Sequence, residues 1–421
     1  MSMSQARAAV LGGDPAAVRG IDGSFALIAV DGVTVRMARS LDRPMRYFLA
    51  KRLDGPALFV ADRIDTLRHA LEEAGLEQQF HPSYTRMVPA HHIVELALVG
   101  CPDPDPFYTR FFTPTRGTHP PDIDELGRRY MGALAEEIRK WLVWIDRESN
   151  GSPVGVSFSG GIDSGSVLLI TYWTMLRLGM SPARLKAFVL DLGEGPDVEQ
   201  ARAFLHEIGL SIFLEEIPGR PDDLDVEQTL RVLEDYKTLD VECAAMGLAL
   251  CKRIRERYPD WRYLADGDGG DENLKDYPIE ENPELTIRSV VDNLMLYQEG
   301  WGVGRIKHSL TYSGGLSRSY VRTYAPAAKY GFAGFSPYTR PNVIEIAEAI
   351  PFAALTGYDV SALYALKGAI VGPGVKAVTG IDMPVFPKRR FQDGAARPDT
   401  MRERLGHSER DYRHIFERLY V

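Results

Sequence analysis

Four short, largely apolar runs near the start of the chain, 25–30, 33–39, 45–52 and 57–62, read as strands. The Gly and Asp residues between the runs punctuate them as hairpin connections require. The pattern therefore predicts antiparallel strands, followed by a helix over 64–74 and a further strand over 93–99. Pro102, Pro104 and Pro106, and then Pro120 and Pro121, interrupt any periodicity. Proline at this density breaks both helix and ladder, so this segment reads as a linker. The first 115 residues are expected to form a small β-rich domain.

Beyond the linker the pattern changes. Helical spacing of apolar residues covers 123–147, a short apolar run 154–158 reads as a strand, and 164–179 as an apolar helix. Strands are predicted over 185–191, 211–217 and 263–265, helices over 198–208, 226–236 and 243–257, and mostly helix from there to residue 421. Strands alternating with helices call for a parallel sheet covered on both faces, an α/β domain spanning 116–421.

With 421 residues, 45% hydrophobic and 25% charged, the chain is long enough to bury a large core without disulfides. Its three cysteines, Cys101, Cys243 and Cys251, lack the CxxC spacing of a zinc finger, and their odd number fits a reducing compartment. No apolar run suits a signal peptide or a membrane span, so the expected location is cytoplasmic, with no membrane partner. A net charge of −9 disfavours nucleic acid as a partner, because phosphate neutralisation needs clustered Lys and Arg. The arginine-rich tail has acids interleaved and reads as a solvated helical face.

The candidate chemistry starts where the strand 154–158 runs into Ser159, Gly160, Gly161, Ile162, Asp163 and Ser164, with a helix behind them. Two glycines let backbone approach an anion, and a helix N-terminus offers it unpaired N–H groups and a positive dipole end. Ser159 and Ser164 add hydroxyl donors. Asp163 would repel a phosphate but could hold Mg²⁺ against one. The string lacks the Gly-Lys-Ser/Thr ending of a Walker A loop. It resembles the PP-loop of the ATP pyrophosphatases, a group that includes asparagine, β-lactam, GMP and NAD synthetases and tRNA-thiolating enzymes. The resemblance implies a PP-loop, adenine nucleotide α-hydrolase-like fold, ATP with Mg²⁺, cleavage to AMP and pyrophosphate, and an adenylated intermediate.

A second acidic loop, Asp266, Gly267, Asp268, Gly269, Gly270, Asp271 and Glu272, follows the strand at 263–265. It fails as an EF-hand, because positions six and twelve hold Asp271 and Tyr277. It resembles the Gly-Glu-Gly-Ser-Asp-Glu loop of class B asparagine synthetases, with Asp268 in place of Glu and Gly270 in place of Ser. By that resemblance Asp271 is the second Mg²⁺ ligand beside Asp163, Asp268 is catalytic, and Ser159 to Ser164, Val189 and Gly267 bind the nucleotide. Each aspartate is expected to hold an ion rather than a core contact, so that its removal leaves stability little changed. Gly195, Pro196 and Asp197 resemble the family's Ser-Pro-Asp, and Arg322 a family arginine. Lys388, three residues before Phe391, resembles the family's essential lysine. After Glu272 the chain departs from the family pattern, so the acyl substrate is expected to differ from aspartate. Glu299 is the one candidate for the downstream Glu of β-lactam synthetases, which leaves amidation favoured over ring closure.

The segments 23–31 and 38–47 resemble strands late in the family's N-terminal nucleophile (Ntn) glutaminase domain, and no cysteine near the terminus could serve as its nucleophile. The expectation is an Ntn-fold remnant without glutaminase activity, attached to a ligase that joins a small-molecule or peptide carboxylate to ammonia or an amine, in natural-product or peptide tailoring. A homodimer is left open. The alternatives are a sulfur-transferring, tRNA-modifying PP-loop enzyme and an inactive nucleotide-binding homologue.

Overall fold

The computed structural model describes residues 1–100, 104–149, 151–193, 195–276, 279–280, 285–292, 320–386 and 403–420. Cys101, Tyr277, Glu299, Lys388 and Phe391 lie outside the described residues. Two helices to which the sequence reading assigned no element come first, α1 Met3–Gly12 and α2 Pro15–Arg19. Their signals are local: Ser2 and Gln5 form a reciprocal capping box, and Gly13 ends α1 in the left-handed conformation that glycine adopts without penalty.

Strands β1 Ala26–Asp31, β2 Thr34–Arg39, β3 Arg46–Arg52 and β4 Gly55–Ala61 fall on the four strand-like runs. Helix α3 Ile64–Glu73 follows, then β5 Arg86–Met87, β6 His92–Ala97 and β7 Phe107–Arg110. Strand β7 corrects the linker reading, since it pairs antiparallel with β6 as the last strand of a sheet ordered β1-β2-β6-β7. The second sheet is β4-β3-β5. Alternation along β3 explains the layering: Tyr47 packs with Val35, Met37 and Val94 of the first sheet, while its neighbour Phe48 packs with Leu67 and Leu71 of α3. Val10 and Val18 cover the other face of the first sheet at Leu27 and Ala29. The layers are thus helix, sheet, sheet, helix.

The second part is α/β as expected. After α4 Ile123–Glu148 come β8 Val154–Ser157, α5 Ile162–Arg177, β9 Leu185–Asp191, α6 Pro196–Glu207 and β10 Leu214–Pro218. Residues 211–213, read as the start of this last strand, form a 3-10 turn. Helices α7 Val226–Leu233 and α8 Thr238–Arg257 lead to β11 Tyr263–Ala265 and α9 Gly270–Leu274. The expected helical remainder also contains β12 Ala333–Phe335, which completes an all-parallel sheet ordered β10-β9-β8-β11-β12. Its other described helices are α10 Ile287–Asp292, α11 Ala325–Lys329, α12 Pro341–Glu348, α13 Phe352–Thr356, α14 Val360–Thr379 and α15 Glu409–Tyr420.

The two parts share a buried interface. Arg46 of β3 donates to Glu234 at 2.7 Å, and Arg340 donates to Asp42 at 2.6 Å. Ile344 of α12 packs into the cluster under the first sheet.

One crossing matters for the site. Helices α4 and α14 touch backbone to backbone at Gly127 and Gly374. A Cβ at Gly127 would lie 2.5 Å from the Ile370 carbonyl oxygen, and one at Gly374 would lie 2.4 Å from the Gly127 carbonyl oxygen. Only glycine permits that approach, and it fixes the depth to which α14 sinks against the core. Gly127→Ala should therefore lower stability by about 1–3 kcal/mol, the usual cost of overpacking, read as a fall in the urea midpoint.

Candidate active site

Strands β8 and β11 lie side by side and parallel, with Val156 opposite Ala265. Their C-terminal ends carry the two loops singled out in the sequence, so the loops meet. Strand β9 lies on the far side of β8 from β11, so chain order reverses direction between β8 and β11. That switch point, at the carboxyl ends of the strands, is where open parallel sheets bind ligands.

The first loop behaves as its residue types require. Gly160 has φ +71°, and a Cβ there would lie 2.9 Å from the Ala201 nitrogen. Gly161 precedes α5 with no side-chain cap on the helix, leaving the N-terminal N–H groups to an outside acceptor. The Ser159 hydroxyl accepts from the Gly161 N–H at 3.3 Å, and the Ser164 hydroxyl donates to the Gly161 carbonyl at 3.3 Å. Ile162 opens the helix. Val189 is buried in the sheet core, so only its backbone could face a nucleotide. Asp197 is buried in the first turn of α6.

The second loop packs directly on the first. A Cβ at Gly267 would lie 2.7 Å from the Ser164 nitrogen. At Gly270, where the resembled motif has Ser, a Cβ would lie 2.2 Å from Asp163 Oδ1. Both glycines are thus needed for the loops to close on one another. Asn273 ties the second loop down, donating to the Tyr338 carbonyl at 2.9 Å and the Tyr130 hydroxyl at 3.1 Å.

Asp163 and Asp271 converge on one cation, the ammonium of Lys367. Its Nζ donates to Asp163 Oδ2 at 2.6 Å and to Asp271 Oδ1, and lies 3.8 Å from Asp276 Oδ2. Lys367 is 4% exposed, whereas Asp163 and Asp271 keep 22% and 33% of their side-chain surface. Burial alone would depress the lysine pKa. The surrounding carboxylates of Asp163, Asp271 and Asp276 outweigh it and hold the group above its ordinary value, hence charged. The expectation that each aspartate contacts nothing structural is thereby corrected: both anchor a buried lysine. Sequence reading missed Lys367, although a signal exists. It is the only charged residue from Val360 to Val375, and it falls at helical spacing among Leu363, Leu366, Ile370 and Val371.

Asp268 sits in a second acidic group. The single hydroxyl proton of Thr323 faces two carboxylates, Asp266 Oδ2 at 2.7 Å and Asp268 Oδ2 at 2.8 Å. Ser336 also donates to Asp266, at 2.9 Å. Thr323 has one proton for the two acceptors, and a proton kept on one carboxyl would satisfy the second contact. Burial raises Asp266 to about 6, and burial together with the neighbouring Asp266 raises Asp268 well above the usual carboxylate range. The pair therefore retains a shared proton at a pH where isolated aspartates are ionised. Arg322 closes the group, paired to Glu272 at 3.3 Å and to Asp240 at 3.5 Å.

The residues fit a nucleotide held by divalent metal. The N-terminus of α5 carries no side-chain cap, and two carboxylates from separate loops already share a cation. Among the described residues, no group of three or more His, Cys, Asp or Glu side chains forms a metal cage. A metal bound by two carboxylates and completed by phosphate oxygens is the usual arrangement for Mg²⁺ with nucleotides. No helix among the described residues is long and apolar enough to cross a membrane.

No curated protein matches the chain. Residues 146–334 match the family model of asparagine synthase, a family of ATP-dependent amide-forming ligases. The match begins just ahead of β8 and ends within β12, so it contains the sheet and both loops. Over residues 146–334 the chain is asparagine synthetase-like.

Proposed function

We propose that the chain activates a carboxylate with ATP and transfers the acyl group to ammonia or an amine. The carrying observation is the convergence of Asp163 and Asp271, from loops after two adjacent parallel strands, on a single cation. In this reading the Gly160–Ser164 backbone and the α5 N-terminus bind phosphate, and Asp163 and Asp271 would hold Mg²⁺. The metal supplies charge neutralisation for the departing pyrophosphate. The substrate carboxylate oxygen attacks the α-phosphorus, the bond to the β-phosphate bridging oxygen breaks, and pyrophosphate leaves. The nitrogen then attacks the acyl carbon, AMP departs with the electron pair of the C–O bond, and the nitrogen gives up a proton. Asp268 is proposed as a catalytic residue of this step, acting with Asp266 as a pair that holds one proton and keeps one carboxylate ionised to accept another. Lys388, outside the described residues, is proposed as the cation that meets charge developing on the phosphates and the tetrahedral oxyanion.

The first 115 residues are proposed to be an Ntn-fold remnant that serves as a platform, and the helix–sheet–sheet–helix layering supports this. Burial pushes the thiols of Cys243 and Cys251 up to about 12, which suits neither a glutaminase nucleophile nor a sulfur carrier. The acyl substrate is proposed to be a carboxylate other than aspartate. The test uses carboxylates labelled with ¹⁸O. One label should appear in AMP, and glutamine should support turnover no better than the ammonia it contains. Unlabelled AMP would contradict the adenylate. Glutamate released as fast as AMP would contradict the platform.

A further inference from the structure

The cation shared by Asp163 and Asp271 belongs to the protein itself. A lysine buried beneath two partly exposed carboxylates is a costly arrangement unless its position is used. Lys367 reaches its place because Gly374, seven residues along the same face of α14, lets that helix sink against Gly127. Its charge is balanced by three carboxylates, so Lys367, Asp163, Asp271 and Asp276 sum to a formal charge of −2. The lysine thus occupies one carboxylate oxygen of Asp163 and one of Asp271, yet leaves the group able to accept a further divalent charge.

We propose that Lys367 is the placeholder cation of the metal site: it bridges the two loops when no nucleotide is bound, so that a divalent ion enters only together with the nucleotide phosphates. This rests on the metal role proposed above for Asp163 and Asp271. The physical reason lies in competition. An ammonium tethered to α14 has a high effective concentration at the carboxylates, and Mg²⁺ gives up hydration water reluctantly. A free ion must therefore displace a resident cation for two oxygens alone. Phosphate oxygens change that balance, since they ligate the metal and also give the displaced ammonium a new anionic partner. The same bridge keeps the Gly160–Ser164 loop and the Gly267–Asp271 loop together before the nucleotide arrives.

The test is binding of Mn²⁺ followed by electron paramagnetic resonance, with and without α,β-methylene-ATP, which cannot be cleaved at the bond in question. Wild-type protein should bind Mn²⁺ at least about tenfold more weakly alone than with the analogue, a difference of about 1.4 kcal/mol. Lys367→Met, of similar length and uncharged, should bind Mn²⁺ alone at least about tenfold more tightly than wild type. Lys367→Arg should stay near wild type, and adding Asp271→Asn to Lys367→Met should remove the gain. The proposal is overturned if wild type binds Mn²⁺ alone as tightly as with the analogue, a comparison that needs no variant. It is equally overturned if folded Lys367→Met gains nothing. Should the analogue recruit Mn²⁺ to Asp271→Asn as well as to wild type, the metal role of the aspartates fails first, and the placeholder with it.

Discussion

Asp271→Asn should reduce pyrophosphate formation by at least about 10²-fold, the scale of losing one fixed electrostatic contact to a transition state. The side chain keeps its shape and loses its charge, so the change isolates metal holding from packing. The structure adds a second effect that the sequence alone did not suggest. Asp271 also accepts from the buried Lys367, which keeps Asp163 at 2.6 Å and Asp276 at 3.8 Å as remaining partners. Loss of one charge-assisted bond should lower stability by about 1.5–3 kcal/mol rather than unfold the protein. Pyrophosphate release and the urea midpoint, measured on the same preparation, separate the two. Near-normal adenylation by Asp271→Asn would remove it from the metal site.

Lys388→Ala should be comparably damaging. Charge builds between the α- and β-phosphates as pyrophosphate leaves, and again on the oxyanion when nitrogen attacks. Both call for a fixed cation, and Asp163 and Asp271 cannot supply one. The expected loss is at least about 10²-fold in turnover, by analogy with removal of an oxyanion donor. Lys388→Arg should also be poor, because a planar guanidinium does not reproduce a compact ammonium. Arg389→Ala provides the contrast. If Lys388→Ala turns over within about threefold of wild type, or Arg389→Ala is worse, the basic segment is a surface patch and the assignment fails.

Much of the fold was legible because its signals are local. The apolar run into Ser159 and the helix behind it specify β8, the loop and α5 within a few residues of each other. The strand-like run 45–52 specifies β3, and the structure adds why both its faces are apolar: Tyr47 meets a sheet and Phe48 a helix. What was not legible depends on distant partners. Strand β12 is three residues long, Ala333–Phe335, and is a strand only because β11 offers it a parallel edge. Strand β7 lies among prolines and forms because β6 has an open side. In the site, both loops could be read, but their meeting could not. It follows from the register of β8 with β11 and from Gly267 and Gly270, whose missing side chains leave room for Asp163 and Ser164. Thr323, which joins Asp266 to Asp268, stands more than fifty residues away from both. Lys367 carried a readable signal, a lone charge on an apolar helical stripe, whose meaning depended on what faced it.

The central claim is that this site activates a carboxylate by adenylation. Exchange of labelled pyrophosphate into ATP tests it most directly, because it reports reversal of that step without needing the nitrogen nucleophile. Across a panel of carboxylates, the account predicts exchange that requires both Mg²⁺ and a particular acid and that is lost in Asp271→Asn. Carboxylate-dependent turnover that releases ADP and phosphate, with no exchange into ATP, would contradict it.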